Sequence, residues 1–283
     1  MEPKKLVFKV ENDSTLNETL KKILSRRYYR FIKHNDCEIL VDGLKRKGFE
    51  KVSSGETIEI FIPEIQKEVF WPITDKLPTI LYEDDNYIIV DKEPNLLTIP
   101  TKADPHSLYQ QLIAYLKTSD IHILNRLDKQ TSGLIVVAKN RYAASLLQPT
   151  HEHITRKYIC LVEGIVNEDG TISNYIAKDE NSNKRYIGDM TNGKLAISHY
   201  KVLKKYEDKT LLEFILETGR THQIRVHTSS MGHPIIGDTF YGGKENTYFY
   251  LRSYAVEFKN PFTNELVSVV TGSDFKDGRR KEN

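Results

Sequence analysis

No uninterrupted apolar run in the chain is longer than Leu134-Ile-Val-Val-Ala138. It is far shorter than the ~18–20 residues a membrane helix needs. Its β-branched centre fits a strand buried on both faces, so the chain must cover that strand from two sides. The surroundings read the same way. Tyr87–Val90 and Tyr158–Val162 read as strands. Ser198–Leu203 and Leu211–Thr218 alternate around Glu207-Asp208 as a hairpin, and Tyr248–Phe258 and Leu266–Val270 flank a second turn at 260–264. Helices are fewer. Ser107 caps one carrying Leu108, Leu112, Tyr115 and Leu116, Arg141–Gln148 is short, and Thr221–Met231 stops at Gly232 with Pro234 beyond. The expected fold is α+β, with a mixed, mainly antiparallel sheet.

A smaller unit precedes it. Lys5–Val10 alternates as a strand, and Thr15-Leu-Asn-Glu18 has the form of a capping box. Leu16, Leu20, Ile23, Leu24 and Phe31 recur at helical spacing, which predicts one or two helices over 15–33. Ile39–Val41 and Thr57–Ile62 complete a small α/β unit. The expected organisation is a module at 1–64, a proline-containing linker at 65–78, a larger domain at 79–272 and a polar, frayed tail at 273–283.

The whole chain is nearly neutral, with 41 Lys+Arg against 39 Asp+Glu, but the charge is uneven. Residues 20–51 hold ten basic side chains, among them Lys21, Arg26, Arg30 and Lys33, against four acidic ones. Tyr28, Tyr29 and Phe31 are interleaved with them. Cations that meet phosphates and rings that stack on bases form a nucleic-acid footprint. The competing reading is a solvated helix face over core aromatics. Two cysteines, Cys37 and Cys160, make neither a disulfide framework nor a cysteine metal site. The N-terminal segment breaks its apolar residues with charge, unlike a secretory signal. A cytoplasmic, reduced protein is the expectation.

Three clusters could carry chemistry. In Asn125-Arg-Leu-Asp-Lys-Gln-Thr-Ser-Gly133, Asp128 lies between Arg126 and Lys129, an environment that favours an ionised carboxylate, as a nucleophile or base needs. In Glu217–His227, Arg225 lies one helical turn from His222, so both can point at one site. Gly232–Gly243 is a glycine-punctuated loop. His151-Glu-His153 is too short for a metalloprotease pattern, and His222 and His227 diverge on a helix, so no metal is expected. No phosphate-binding or dinucleotide glycine pattern occurs, so no cofactor is expected.

These clusters resemble the signatures of the RluA-type RNA pseudouridine synthases. Arg126-Leu-Asp-x-x-Thr-Ser-Gly-Leu134 is similar to the first, and Gly219-Arg-Thr-His-Gln-Ile-Arg-Val-His227 and Gly232-His-Pro-Ile-x-Gly-Asp-x-x-Tyr-Gly242 to later ones, in the expected order. Glu83–Lys92 looks like the opening strand, and Arg156-Lys-Tyr158 like the Lys-x-Tyr segment. The resemblance spans 79–272, and residues 15–62 resemble an S4-like RNA-binding module. It implies the pseudouridine synthase fold and isomerisation of uridine in rRNA or tRNA, by base flipping and without a cofactor. It implies Asp128 as the catalytic aspartate, Tyr158 stacked on the flipped uracil, and Arg225 paired with Asp128. Arg126, Arg220 and His222 would bind substrate. A monomer is the expectation by analogy.

Three departures stand out. Asn125 stands where the family usually has His, Lys92-Glu-Pro-Asn95 replaces a Lys-Pro-x-Gly turn, and Leu251-Arg-Ser253 replaces Leu-His-Ala or Leu-His-Ser. They bear on the geometry of the catalytic loop and the RNA target. Two other readings are a non-catalytic RNA-binding or ribosome-assembly protein that kept the fold, and a carboxylate hydrolase acting on free nucleosides.

Overall fold

The apolar run forms the core of the strand Ser132–Ala138, in which every residue is buried. In the computed structural model, which describes residues 4–35, 37–63, 74–147, 154–272, 275–276 and 279–280, this strand lies within an eleven-stranded sheet. It pairs antiparallel with Tyr87–Lys92 and parallel with Leu251–Lys259. The other ladders of the sheet are antiparallel. Alternation sends its side chains into two cores. Ile135 and Val137 pack with Ile88, Val90 and the helix Leu108–Leu116. Leu134 and Val136 pack with Tyr87, Ile89 and the helix Arg141–Leu147.

From Leu251–Lys259 the sheet continues through Thr155–Glu163, Lys209–Leu216, Gly193–Lys205, Gly170–Lys178 and Arg185–Gly188. The last two of these strands lie in a stretch with no clear strand signal in the sequence. The register of Thr155–Glu163 against Leu251–Lys259 shifts between Lys157 and Tyr158. Such a bulge re-aims the side chain beside it, and that side chain is Tyr158.

The N-terminal residues form a separate four-stranded sheet, in the order Lys4–Lys9, Thr57–Ile62, Glu38–Val41, Leu44–Lys45. Two helices pack against it, Leu16–Ile23 and Arg26–His34. The capping box at Thr15 and Glu18 is formed, and Ser25 caps the second helix by accepting from the Tyr28 amide. Lys21, Lys22, Arg26, Arg30 and Lys33 are exposed. The aromatics between them differ from the expectation of a stacking surface. Tyr28 is 1% exposed and packs in this unit's core. Its ring lies 5.0 Å from Tyr142, which belongs to the helix Arg141–Leu147. The Arg141 guanidinium sits 4.5 Å over Phe31. Helical spacing puts these rings on the apolar side of their helix, and the contact with Arg141–Leu147 buries them.

The expected helix over 221–231 begins later, at Gln223. His222 has φ of 59° and is the N-cap rather than a helical residue. The Gln223 side chain fixes this start. Its amide oxygen accepts from the Arg220 amide and Thr218 Oγ1, and its nitrogen donates to the Ile197 carbonyl and Ser198 Oγ. Residues 64–73, most of the expected linker, lie outside the described residues, as does much of the tail. Within the tail, Phe275–Lys276 pairs with Arg279–Arg280. No helix among the described residues is long and apolar enough to cross a membrane.

Gly133 lets the parallel pair close. Its φ is +116°, and a Cβ there would fall 2.0 Å from the Ser253 carbonyl oxygen. Gly133→Ala therefore sets a forbidden backbone angle against a main-chain clash. It should cost about 3 kcal/mol or more of stability, read as a lowered midpoint of denaturant unfolding; an unchanged midpoint would contradict this account of the strand pair.

Candidate active site

The loop before Ser132–Ala138 carries Asp128 to the floor of a cleft of about 850 Å³. The loop is pinned at several points. Thr98 Oγ1 donates to the Leu127 carbonyl and accepts from the Leu127 amide, at 2.7 and 3.2 Å. The Asp128 carbonyl accepts from the Thr131 amide. Lys92 is fully buried, and its ammonium donates to the carbonyls of Glu93, Leu96 and Lys129. Burial pushes Lys92 down to about 8, opposed by the charges of Asp128 and Asp91, so the ammonium still prevails at neutral pH.

The departures from the family pattern have structural places here. Asn125 is buried and bridges strand backbone, donating to the Leu134 carbonyl and accepting from the Val136 amide. Asn95 takes the left-handed conformation, with φ of 64°. Arg252 is buried and pairs with Asp91 at 2.5 Å while donating to Thr271 Oγ1 and Ser132 Oγ.

Arg225 faces Asp128 from the helix Gln223–Ser230, with Nη1 3.4 Å from Asp128 Oδ2. Its stronger partner is Asp238. Nε and Nη2 donate to the two Asp238 oxygens, each at 2.7 Å, in a two-pronged pair. The Arg225 and Asp238 side chains are 5% and 1% exposed, and that of Asp128 is 26% exposed. Burial opposes the charge on Arg225, but Asp238 and then Asp128 outweigh it, and its pKa is raised. Asp238 lies within the third cluster, where nothing in the local sequence assigns it a role. The guanidinium also lies over the rings of Tyr241, Phe249 and Phe240.

The other expected site residues reach the same cleft by different routes. Tyr158 is 6% exposed and lines it, and burial raises its phenol, which stays protonated. His222 Nε2 lies 3.8 Å from Asp128 Oδ2. Arg126 lines the cleft and is exposed. Arg220 lines it with its Nε committed to the Leu195 carbonyl. Arg156, Arg185 and Lys129 are also in the lining, so its described part holds six basic side chains against one carboxylate, Asp128. Among the described residues no group of three or more His, Cys, Asp or Glu is placed to hold a metal ion.

A carboxylate beside a buried arginine, with Tyr158 and six basic side chains in the same lining, makes a cleft whose charge suits a polyanion. The family model for RNA pseudouridylate synthase matches residues 86–230. The chain is 34% identical over 239 residues to the ribosomal large subunit pseudouridine synthase D of Haemophilus influenzae, covering 82% of this chain and 73% of that one. It is 32% identical over 256 residues to an uncharacterized RNA pseudouridine synthase of Bacillus subtilis, covering 86% and 89%. The structure of human RNA pseudouridylate synthase domain containing 1 superposes with a TM-score of 0.59 at 25% identity, over 71% of this chain and 85% of that one. The chain belongs to the RNA pseudouridylate synthase family.

The helix that carries Arg225 also contains a titrating group that links site and stability. His227 is fully buried, and its Nδ1 is 2.9 Å from Ser198 Oγ. Burial pushes it down to about 4. Between about 6.5 and that value the unfolded chain binds a proton that the folded chain does not. Stability should be full above pH 6.5 and fall as pH drops toward 4, by about 3 kcal/mol from this group. Denaturant titrations at stepped pH check this, and His227→Gln should flatten that part of the profile.

Proposed function

We propose that this protein isomerises specific uridines in structured RNA to pseudouridine, with Asp128 as the catalytic aspartate. The observation that carries the reading is the placement of Asp128. It is partly open to the cleft, 3.4 Å from a guanidinium that Asp238 already holds, with Tyr158 in the same wall. Uracil leaves the ribose through N1 and returns through C5, so C5 loses a hydrogen to solvent and N1 gains one. The exchange is internal and needs no redox partner or hydrolytic water. A base in a helix must leave the stack first, at a cost of a few kcal/mol that stacking on Tyr158 partly offsets. Arg225 orients Asp128, while Arg126, Arg220 and His222 bind the flipped nucleotide and its phosphates.

Residues 1–64 act in this reading as an S4-like RNA-binding module whose exposed lysines and arginines add phosphate contacts, joined through 65–78 to a catalytic domain at 79–272. The relative from Haemophilus influenzae is named for the large ribosomal subunit, which favours rRNA over tRNA as target. The protein works as a cytoplasmic monomer. A non-catalytic binder would have no use for Asp128, Tyr158 and Arg225 arranged together, and a nucleosidase no use for so many cations around its cleft.

The test maps pseudouridine across cellular RNA in a deletion strain, alone and complemented with wild type or with Asp128→Asn. The reading expects at least one uridine modified only with wild type, while Asp128→Asn still binds RNA. Identical maps in all three strains, with the protein expressed and RNA-bound, would favour the non-catalytic binder instead.

A further inference from the structure

His222 occupies a constrained place that the reading above does not explain. Its backbone is left-handed, at φ of 59°, a conformation uncommon outside glycine and asparagine. The ring is held edge-on between Phe240 and Tyr241, with centroids 6.1 and 5.6 Å away. Its Nδ1 is 2.8 Å from the Tyr241 hydroxyl. That hydroxyl also accepts from the Arg185 backbone N–H at 2.9 Å.

This chain of contacts has a direction. A backbone N–H can only donate, so the Tyr241 oxygen is an acceptor toward Arg185. Its own proton then finds a partner if His222 Nδ1 accepts it. Nδ1 thereby becomes the unprotonated nitrogen, and the ring's single proton sits on Nε2. Burial lowers the His222 pKa, Asp128 opposes this, and Arg225 and Arg185 reinforce it, so the ring is neutral at neutral pH. Burial likewise raises the Tyr241 phenol, which keeps its proton. The resulting Nε2–H faces the cleft at 3.8 Å from Asp128 Oδ2, beyond hydrogen-bond reach. A donor is therefore aimed at the reacting region and is not spent on the protein.

We propose that Tyr241 fixes His222 as its Nε2–H tautomer, and that this N–H donates to a carbonyl oxygen of the uracil as negative charge builds there. The inference rests on the uridine isomerisation proposed above. Whether Asp128 attacks the sugar, attacks the base or removes a sugar proton, an electron pair moves onto the uracil ring and its carbonyl oxygens. A preset donor stabilises that charge more than it stabilises neutral uracil, which is what lowers a barrier. His222 is then a catalytic residue and Tyr241 a positioning one.

Two measurements test this. Nitrogen-15 NMR of the wild-type protein should show His222 unprotonated at Nδ1 and protonated at Nε2, and Tyr241→Phe, which removes one oxygen, should mix the tautomers. The second follows tritium released to water in single turnovers, from total RNA of the deletion strain labelled at uracil C5. At saturating RNA, His222→Ala should slow release about 100-fold and Tyr241→Phe about 10-fold, the latter with RNA affinity nearly unchanged. His222→Gln keeps an N–H donor but has no tautomer to fix. It should recover part of the loss, and adding Tyr241→Phe to it should cost little more.

An Nδ1–H tautomer in the wild type would overturn the inference. So would Tyr241→Phe slowing the His222→Gln protein as much as the wild type, since Tyr241 would then act only structurally. No tritium release from the wild type would overturn the parent reading, and the uracil acceptor with it.

Discussion

A guanidinium that is almost wholly buried needs its charge answered and its donors occupied, or the fold loses several kcal/mol. Arg225 meets that condition through Asp238, which takes two of its nitrogens in a planar, two-pronged pair. That leaves Nη1 for Asp128, at the looser distance of 3.4 Å. The order of strength matters. Were Asp128 the principal partner of Arg225, its oxygens would be tied up in a tight ion pair. With Asp238 in that role, Asp128 has a positive neighbour and an accessible carboxylate. The aromatic rings of Tyr241, Phe240 and Phe249 around the guanidinium exclude water and sharpen both contacts.

The rest of the cleft is organised to keep that geometry. Gly133 allows two strands to run side by side where the Asp128 loop enters the sheet. Lys92 and Thr98 hold the loop from the opposite side by its carbonyls. Gln223 fixes where the helix of Arg225 begins. The substituted positions fit this scheme. Asn125 still bridges the strands, and Arg252 finds its own buried carboxylate in Asp91. They alter the packing behind the loop and leave Asp128, Tyr158 and Arg225 in one cleft.

Much of this was legible in the sequence. The apolar run at 134–138 announced a strand covered on both faces, and the structure fills both with separate cores. Asp128, Arg225 and His222 could be singled out because each lies in a dense local cluster. Their meeting spans 97 residues for the first two, and no local pattern encodes that distance. His222 and Arg225 do line one cleft, but not from one helical turn, because the Gln223 side chain delays the helix. Tyr241 stands in the third motif without a role, because nothing local pairs it with His222. Arg185 is not singled out, because it sits in strands of weak alternation. For Tyr28 the core reading holds over the stacking surface. Charge patterning leaves the two open because it says which residues are solvated, not which neighbours cover the rings between them.

The central claim is that Asp238 acts on the reaction through Arg225, and a double-mutant cycle on the single-turnover rate of C5 tritium release tests it most directly. Arg225→Lys keeps the charge but loses the two-pronged geometry, and Asp238→Asn keeps the shape but loses the charge. The account predicts that the double variant is no slower than the slower of the two single variants. Losses that multiply would mean that Asp238 and Arg225 act independently, and would contradict it.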